Sequence, residues 1–372
     1  MKFQHFSNFF LTTSFIVVVV VGSFPSLLEA KKIKVGGNNG KTKNLDVSEL
    51  GQPGQSFKEL DQIEVDFGTG TGNGSIKTFK RWGSTGKTWK GEDEHGQTMT
   101  LLRSGGRDGT DDVLVGSILD PKEKVVHQIR RNADGTTVIA STPAGDFPPE
   151  KDGIHLDGNI FDNNRKLSVE ESIKGSFRGI ASSSSSSTRK LQTGPSIIRV
   201  LVPWTEAAEC AASGLSSGCV VSPTTENTME ALVQLAIEET NDAYTLSGIT
   251  AQLVLAHAYR DPDNYVEYAG TRDPFTNALY DLQGTSDGKL DAAHTLRETY
   301  GADVVALLIH DPTYCGIGFY TPSPSANTMF SVTSWSCATG NYSFGHELGH
   351  NMVRSVFASF MIILSSRTFC AH

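Results

Sequence analysis

Six consecutive serines, Ser182–Ser187, interrupt this 372-residue chain near its middle. Such a run has no apolar surface to bury and behaves as a flexible linker, an expected boundary between two folding units. The two sides therefore fold as separate units, and their charges differ. Residues 31–194 carry 24 Lys and Arg against 22 Asp and Glu, whereas residues 195–352 carry 5 against 18. Unlike charge favours docking of one unit on the other. With 38% hydrophobic and 20% charged residues the chain has the apolar content for packed cores. Its formal charge of −9 argues against nucleic acid as a partner, because phosphate binding requires a basic face. Arg189-Lys190, just after the serines, reads either as an accessible processing site or as two solvated linker charges.

The N-terminus reads as a secretory signal. Lys2 and His5 precede an apolar stretch from Phe9 to Val21, followed by small residues that place cleavage after Ser23 or Ala30. The stretch is shorter than the ~20 residues of a membrane span and has no stop-transfer flank, so no stable membrane span is expected. A secreted, extracellular chain permits disulfides. Cys210, Cys219, Cys315 and Cys337 pair most simply as two local bridges, Cys210–Cys219 and Cys315–Cys337, among three possible connectivities. Cys370 is left odd. Asn73-Gly-Ser75 and Asn341-Tyr-Ser343 are sequons that would carry glycans where exposed.

Residues 31–180 read as β-rich, with runs Asp112–Leu119, Lys124–Arg130 and Thr136–Ser141. The last two flank Asn132-Ala-Asp-Gly135, a hairpin turn signal, and Gly68–Gly74 reads as a loop. After the linker (181–196) strands alternate with helices. Ile197–Val202, Ile249–Ala258 and Asp303–Ile309 read as strands; Thr225–Leu246, capped by Thr225, and Leu290–Tyr300 read as helices. Phe330–Trp335 is expected as an edge strand before a final helix. This order predicts an α/β domain with a mostly parallel sheet over residues 197–352.

The chemistry concentrates in Gly345-His346-Glu347-Leu348-Gly349-His350. On a helix, positions i and i+4 share a face, so His346 and His350 can present both imidazoles to one ion. Zn2+ suits neutral nitrogen ligands and acidifies water toward a pKa of ~7, and Glu347 stands beside the first ligand to take the proton.

In this order, Cys315-Gly-Ile-Gly-Phe319, Phe330-Ser-Val332, Cys337-Ala-Thr-Gly-Asn-Tyr-Ser-Phe344 and His346–Met352 resemble the reprolysin-like (adamalysin-type) metzincin zinc metallopeptidases over about Ile197–Met352. The resemblance implies a twisted sheet whose last strand binds extended substrate above an active-site helix. It implies zinc on His346 and His350, with Glu347 as general base and acid. It further implies a secreted proenzyme whose β-rich prodomain, 31–180, acts as intramolecular inhibitor of a metalloendopeptidase that takes protein or peptide substrates.

The family pattern continues to a glycine and a third histidine, where this chain has Val353 and Val356. The expected fold is thus a β-rich prosegment followed by an α/β metzincin-like domain, upper subdomain only, with the lower subdomain missing. Residues 353–372 are expected to be an aberrant tail, as intron read-through after Met352 would produce. Loss of the third ligand would impair catalysis; the alternative is a non-catalytic secreted binding or decoy module. His257, His310, Cys370 and His372 are weak substitutes for that ligand. Residues 31–209 contain no cysteine, so latency would use a carboxylate, His95, His127, His155 or steric cover. Asp146-Phe-Pro-Pro-Glu150 bears carboxylates, although its turn chemistry also suits a plain surface loop.

Overall fold

A computed structural model describes residues 30–39, 42–50, 56–67, 76–105, 112–155, 195–320 and 324–352. The expected signal segment, Gly68–Gly74 with the Asn73 sequon, the serine run with Arg189-Lys190, and residues 353–372 lie outside the described residues. So do Cys370 and His372.

The first half closes into a barrel. Its strands are β1 (Lys31–Asn39), β2 (Thr42–Asp46), β3 (Gln62–Asp66), β4 (Ile76–Ser84), β5 (Thr88–Glu92), β6 (Thr98–Gly105), β7 (Asp112–Asp120), β8 (Val125–Arg131) and β9 (Thr137–Pro143). They are joined in the order β1-β2-β9-β8-β7-β6-β5-β4-β3. Neighbours run antiparallel except β1 and β3, whose parallel pairing closes the ring and leaves no open edge. Alternation decides the inside: in β3, Ile63 and Val65 are buried between half-exposed neighbours. With Ile33, Phe79, Trp89 and Ile118 they fill the interior. The β8–β9 hairpin turns at Gly135, whose φ of 84° is the left-handed region that glycine tolerates.

The second half is an α/β unit. It comprises β11 (Ser196–Trp204), α1 (Glu206–Ala212), α2 (Pro223–Leu246), β12 (Ala251–Arg260), α3 (Pro274–Gln283), α4 (Ala292–Tyr300), β13 (Val304–Ile309), β14 (Gly316–Tyr320), β15 (Phe330–Ser334), α5 (Trp335–Ala338) and α6 (Ser343–Met352). A two-residue strand, β10 (Ile154–His155), comes from before the linker and completes the sheet order β10-β14-β15-β13-β11-β12. β12, β11, β13 and β15 are mutually parallel; β14 alone runs antiparallel to its neighbour β15. β13, Val-Val-Ala-Leu-Leu-Ile, is buried at every position because helices cover both faces of a parallel sheet.

Two expectations need correction. Phe330–Ser334 is not an edge strand: it lies between β13 and β14 and is fully buried, and Trp335 begins α5. Thr225 is not the cap of α2. Ser222 is, its hydroxyl accepting from Thr225 N–H, while the Thr225 hydroxyl accepts from Ser222 N–H and Pro223 opens the helix. This reciprocal capping box satisfies two otherwise unpaired donors.

The two halves pack together. Leu102, Val113 and Val115 on the barrel's outer face join Leu232, Leu235 and Ala236 of α2 in one apolar cluster. Lys90 Nζ reaches Asp242 at 2.7 Å and Glu238 at 3.2 Å, and Gln128 Nε2 donates to the carbonyls of Thr339 (2.8 Å) and Ser336 (2.9 Å). No described helix is long and apolar enough to cross a membrane.

Candidate metal centre

Helix α6 lies against β14 and β15 because its buried face has partners at several points. Asn351 Nδ2 donates to the carbonyls of Phe319 and Phe330, both at 2.9 Å, pinning the end of the helix to two strands. Tyr244 Oη donates to Gly345 O at 2.8 Å and ties the start of the helix to α2. The disulfide Cys315–Cys337 joins the start of β14 to α5, immediately before α6. Cys210–Cys219 closes the other loop, so both local bridges are formed.

On that helix the rings of His346 and His350 face one another with Nε2 atoms 3.2 Å apart. Tetrahedral zinc with Zn–N near 2.05 Å separates two nitrogen ligands by about 3.3 Å. One ligand atom each from His346, Glu347 and His350 lies within 4.8 Å of the others. Burial pushes the imidazolium forms down, His346 to about 4, so both rings are neutral and their nitrogen lone pairs are available near neutral pH. Glu347 is fully buried, and its carboxyl stands against that of Glu150. Two converging neutral nitrogens beside a buried carboxyl are a donor set that fits a divalent cation. Burial, with the neighbouring Glu150 carboxyl, holds the Glu347 carboxyl well above its ordinary range. The cluster contains no third histidine among the described residues.

His310, His257 and His127 lie apart from the pair. His310 Nδ1 accepts from Trp335 Nε1 at 2.9 Å, and His257 stacks on Tyr300 with ring centres 4.1 Å apart. His127 bonds Ser141 on the barrel. His155 is near the site, edge-on to Tyr320 at 4.7 Å, and Tyr320 in turn meets the His350 ring at 6.4 Å. The Asn341 sequon is occupied by packing: its Nδ2 donates to Ser343 Oγ at 3.0 Å, and Ser343 is fully buried.

Sequence reading missed β14 and the residues laid along it. The available signal was the alternation Cys315-Gly-Ile-Gly-Phe319. A Cβ on Gly316 would stand 2.5 Å from Glu347 Cγ, and one on Gly318 would stand 3.0 Å from Glu347 O. Glycine at every second position lets the helix approach the strand directly over the carboxylate. Glu150 belongs to the Asp146–Glu150 segment that the sequence offers as a carboxylate-bearing candidate for latency; its carboxyl accepts from Ser343 Oγ.

Comparison with known proteins agrees with this site. Residues 230–354 match the model of the Metallo-peptidase family M12B, Reprolysin-like. A peptidyl-Asp metalloendopeptidase of Stenotrophomonas maltophilia strain K279a is 34% identical over 266 residues, covering 72% of this chain and 53% of that protein. A protein of the same name from Xanthomonas campestris pv. campestris is 31% identical over 274 residues, covering 73% and 54%. The chain thus spans about half the length of the curated relatives it matches.

Proposed function

We propose, from the match of residues 230–354 to the reprolysin-like metallopeptidase family, that this chain is the secreted precursor of a zinc-dependent endopeptidase, impaired by Val356 where the family pattern has a third histidine, with the barrel as its prodomain. The observation that carries the reading is the convergence of His346 Nε2 and His350 Nε2, 3.2 Å apart, beside the buried Glu347.

Zn2+ held by the two imidazoles would supply Lewis acidity, polarising a peptide carbonyl and acidifying water. Glu347 takes the proton of the attacking water on a carboxylate oxygen and returns it to the departing amine nitrogen. Strand β14 would hold an extended peptide on its outer edge once that edge is freed of β10, which pairs with it here. The printed name of the relatives makes an aspartate-containing peptide the substrate to test first. Secretion is supported by the N-terminal apolar stretch and by two disulfides, which persist in oxidising compartments.

The test is cleavage of an aspartate-containing peptide by the purified chain, before and after limited trypsin treatment. Activity should vanish with a chelator and return with Zn2+. Glu347→Gln should retain stoichiometric zinc while losing about 10²–10⁴-fold in turnover. Cleavage that survives Glu347→Gln would overturn the reading.

A further inference from the structure

Beyond the barrel's last strand, the chain turns through Ala144–Asp146 and then runs along the outer edge of β14. Pro149 O accepts from Cys315 N at 3.0 Å, and Lys151 N donates to Gly316 O at 3.0 Å. Ile154 and His155 then pair in parallel register with Phe319 and Tyr320. Main-chain groups are thus engaged from the start of the strand to its end.

The side chains of the same segment fill what lies in front of α6. The Glu150 carboxyl accepts from Ser343 Oγ and stands beside Glu347. Lys151 Nζ pairs with Asp273 Oδ2 at 2.7 Å and sits 4.5 Å over the Tyr314 ring. At Gly153 the backbone lies on the metal-site helix itself: a Cβ there would be 3.6 Å from His350 Cγ and 3.1 Å from Gly318 O. Ile154 packs on the cluster formed by Phe319, Phe330 and the face of α3.

We propose that Pro149–His155 is an internal occupant of the substrate groove, which closes the site by taking the β14 edge and by placing Glu150 in front of Glu347. This inference rests on the peptidase reading above and names the segment responsible for latency. It uses no thiol, in accord with the absence of cysteine from residues 31–209. Its strength is intramolecular: a tethered strand experiences an effective concentration in the millimolar range, and cutting the connection at 156–194 makes the same contact bimolecular. Parallel pairing is also slightly weaker per residue than antiparallel pairing, which leaves the segment displaceable.

The test uses the full chain carrying Lys151→Glu with Ile154→Asp, and separately Gly153→Val, each checked for wild-type near-ultraviolet circular dichroism. In zinc-free protein, amide exchange at 315–320 should accelerate about tenfold or more in both variants as the edge is uncovered. With Zn2+, a fluorescein-labelled peptide hydroxamate should bind about tenfold or more tighter to the variants than to the wild type, since no tethered strand competes. Unchanged exchange together with unchanged probe binding in a folded variant overturns the proposal, as does full proteolysis by the uncut wild type. Faster exchange and tighter binding without any cleavage of peptide would instead uphold the occupied groove and overturn the endopeptidase reading.

Discussion

Gly316 lies directly over the side chain of Glu347: a methyl group at position 316 would come within 2.5 Å of Glu347 Cγ and 2.6 Å of Oε1. Real Cβ atoms do not approach so closely, so strand and helix would have to separate or the carboxylate would have to leave its place. Gly316→Ala is expected to lower stability by about 1–3 kcal/mol, the usual effect of overpacking. It should lower peptide turnover by a larger factor than Gly105→Ala, where nothing lies within 4 Å of the added methyl. Thermal denaturation and kcat for the pair of variants check this.

His346→Ala and His350→Ala each remove one of two converging nitrogens. Either substitution should weaken Zn2+ binding by about tenfold or more, because a single imidazole on a helix holds the ion poorly. Equilibrium dialysis against Zn2+ measures it, with His310→Ala as the control expected to match the wild type.

The Cys315–Cys337 bridge spans 22 residues and ties the β14 edge to the helices before the metal site. In the chain-entropy account a loop of this length contributes about 3 kcal/mol. Replacing both cysteines by serine should lower the urea midpoint accordingly. It should also disorder the Pro149 contact, since Cys315 N is its donor. The corresponding Cys210–Cys219 variant, far from that edge, should leave exchange at 315–320 unchanged.

Glu239 of α2 is fully buried at the barrel interface, where it accepts from Ser117 Oγ at 2.5 Å and from Gly340 N at 2.7 Å. Asp242 lies close by on the same helix, Lys90 faces it from the barrel, and Tyr342 abuts it from the loop before α6. Burial pushes its carboxyl up from 4.5 to about 7. The folded state therefore binds the proton more tightly than the unfolded state. The associated stability is present below pH 4.5 and is lost as pH rises through 7. Denaturant midpoints should fall across that window, by an amount on the order of 3 kcal/mol at most, and Glu239→Gln should flatten the slope. A midpoint that rises between pH 5 and 7.5 in the wild type alone would contradict the assignment.

Much of the architecture was readable because it rests on local rules. The β-branched run Asp112–Leu119, the hairpin turn at Gly135 and the unbroken apolar run Val304–Ile309 are each specified by neighbouring residues alone. Ser222 was passed over as the cap because the helical periodicity of α2 begins after Pro223, and the cap sits outside the periodic stretch. Strand β14 was illegible for the opposite reason. Gly316 and Gly318 have poor strand propensity, and only the presence of Glu347 and His350 beneath them explains why no larger residue fits. Phe330–Ser334 reads as an edge strand from sequence because the glycines of its neighbour β14 conceal that strand.

The histidine pair belongs to the sequence: a spacing of four on any helix puts His346 and His350 on one face, whatever surrounds it. What lies opposite that face was decided by tertiary structure. Glu150, Lys151 and Gly153 stand nearly two hundred residues before α6 in the chain, and no periodicity links them to it. They arrive there because barrel and α/β unit share the apolar contacts of α2 and the Lys90 and Lys151 ion pairs, which set where the intervening strand must run. Contacts between distant segments arise from the packing of whole units, and so they are written in the fold and not in any stretch of residues.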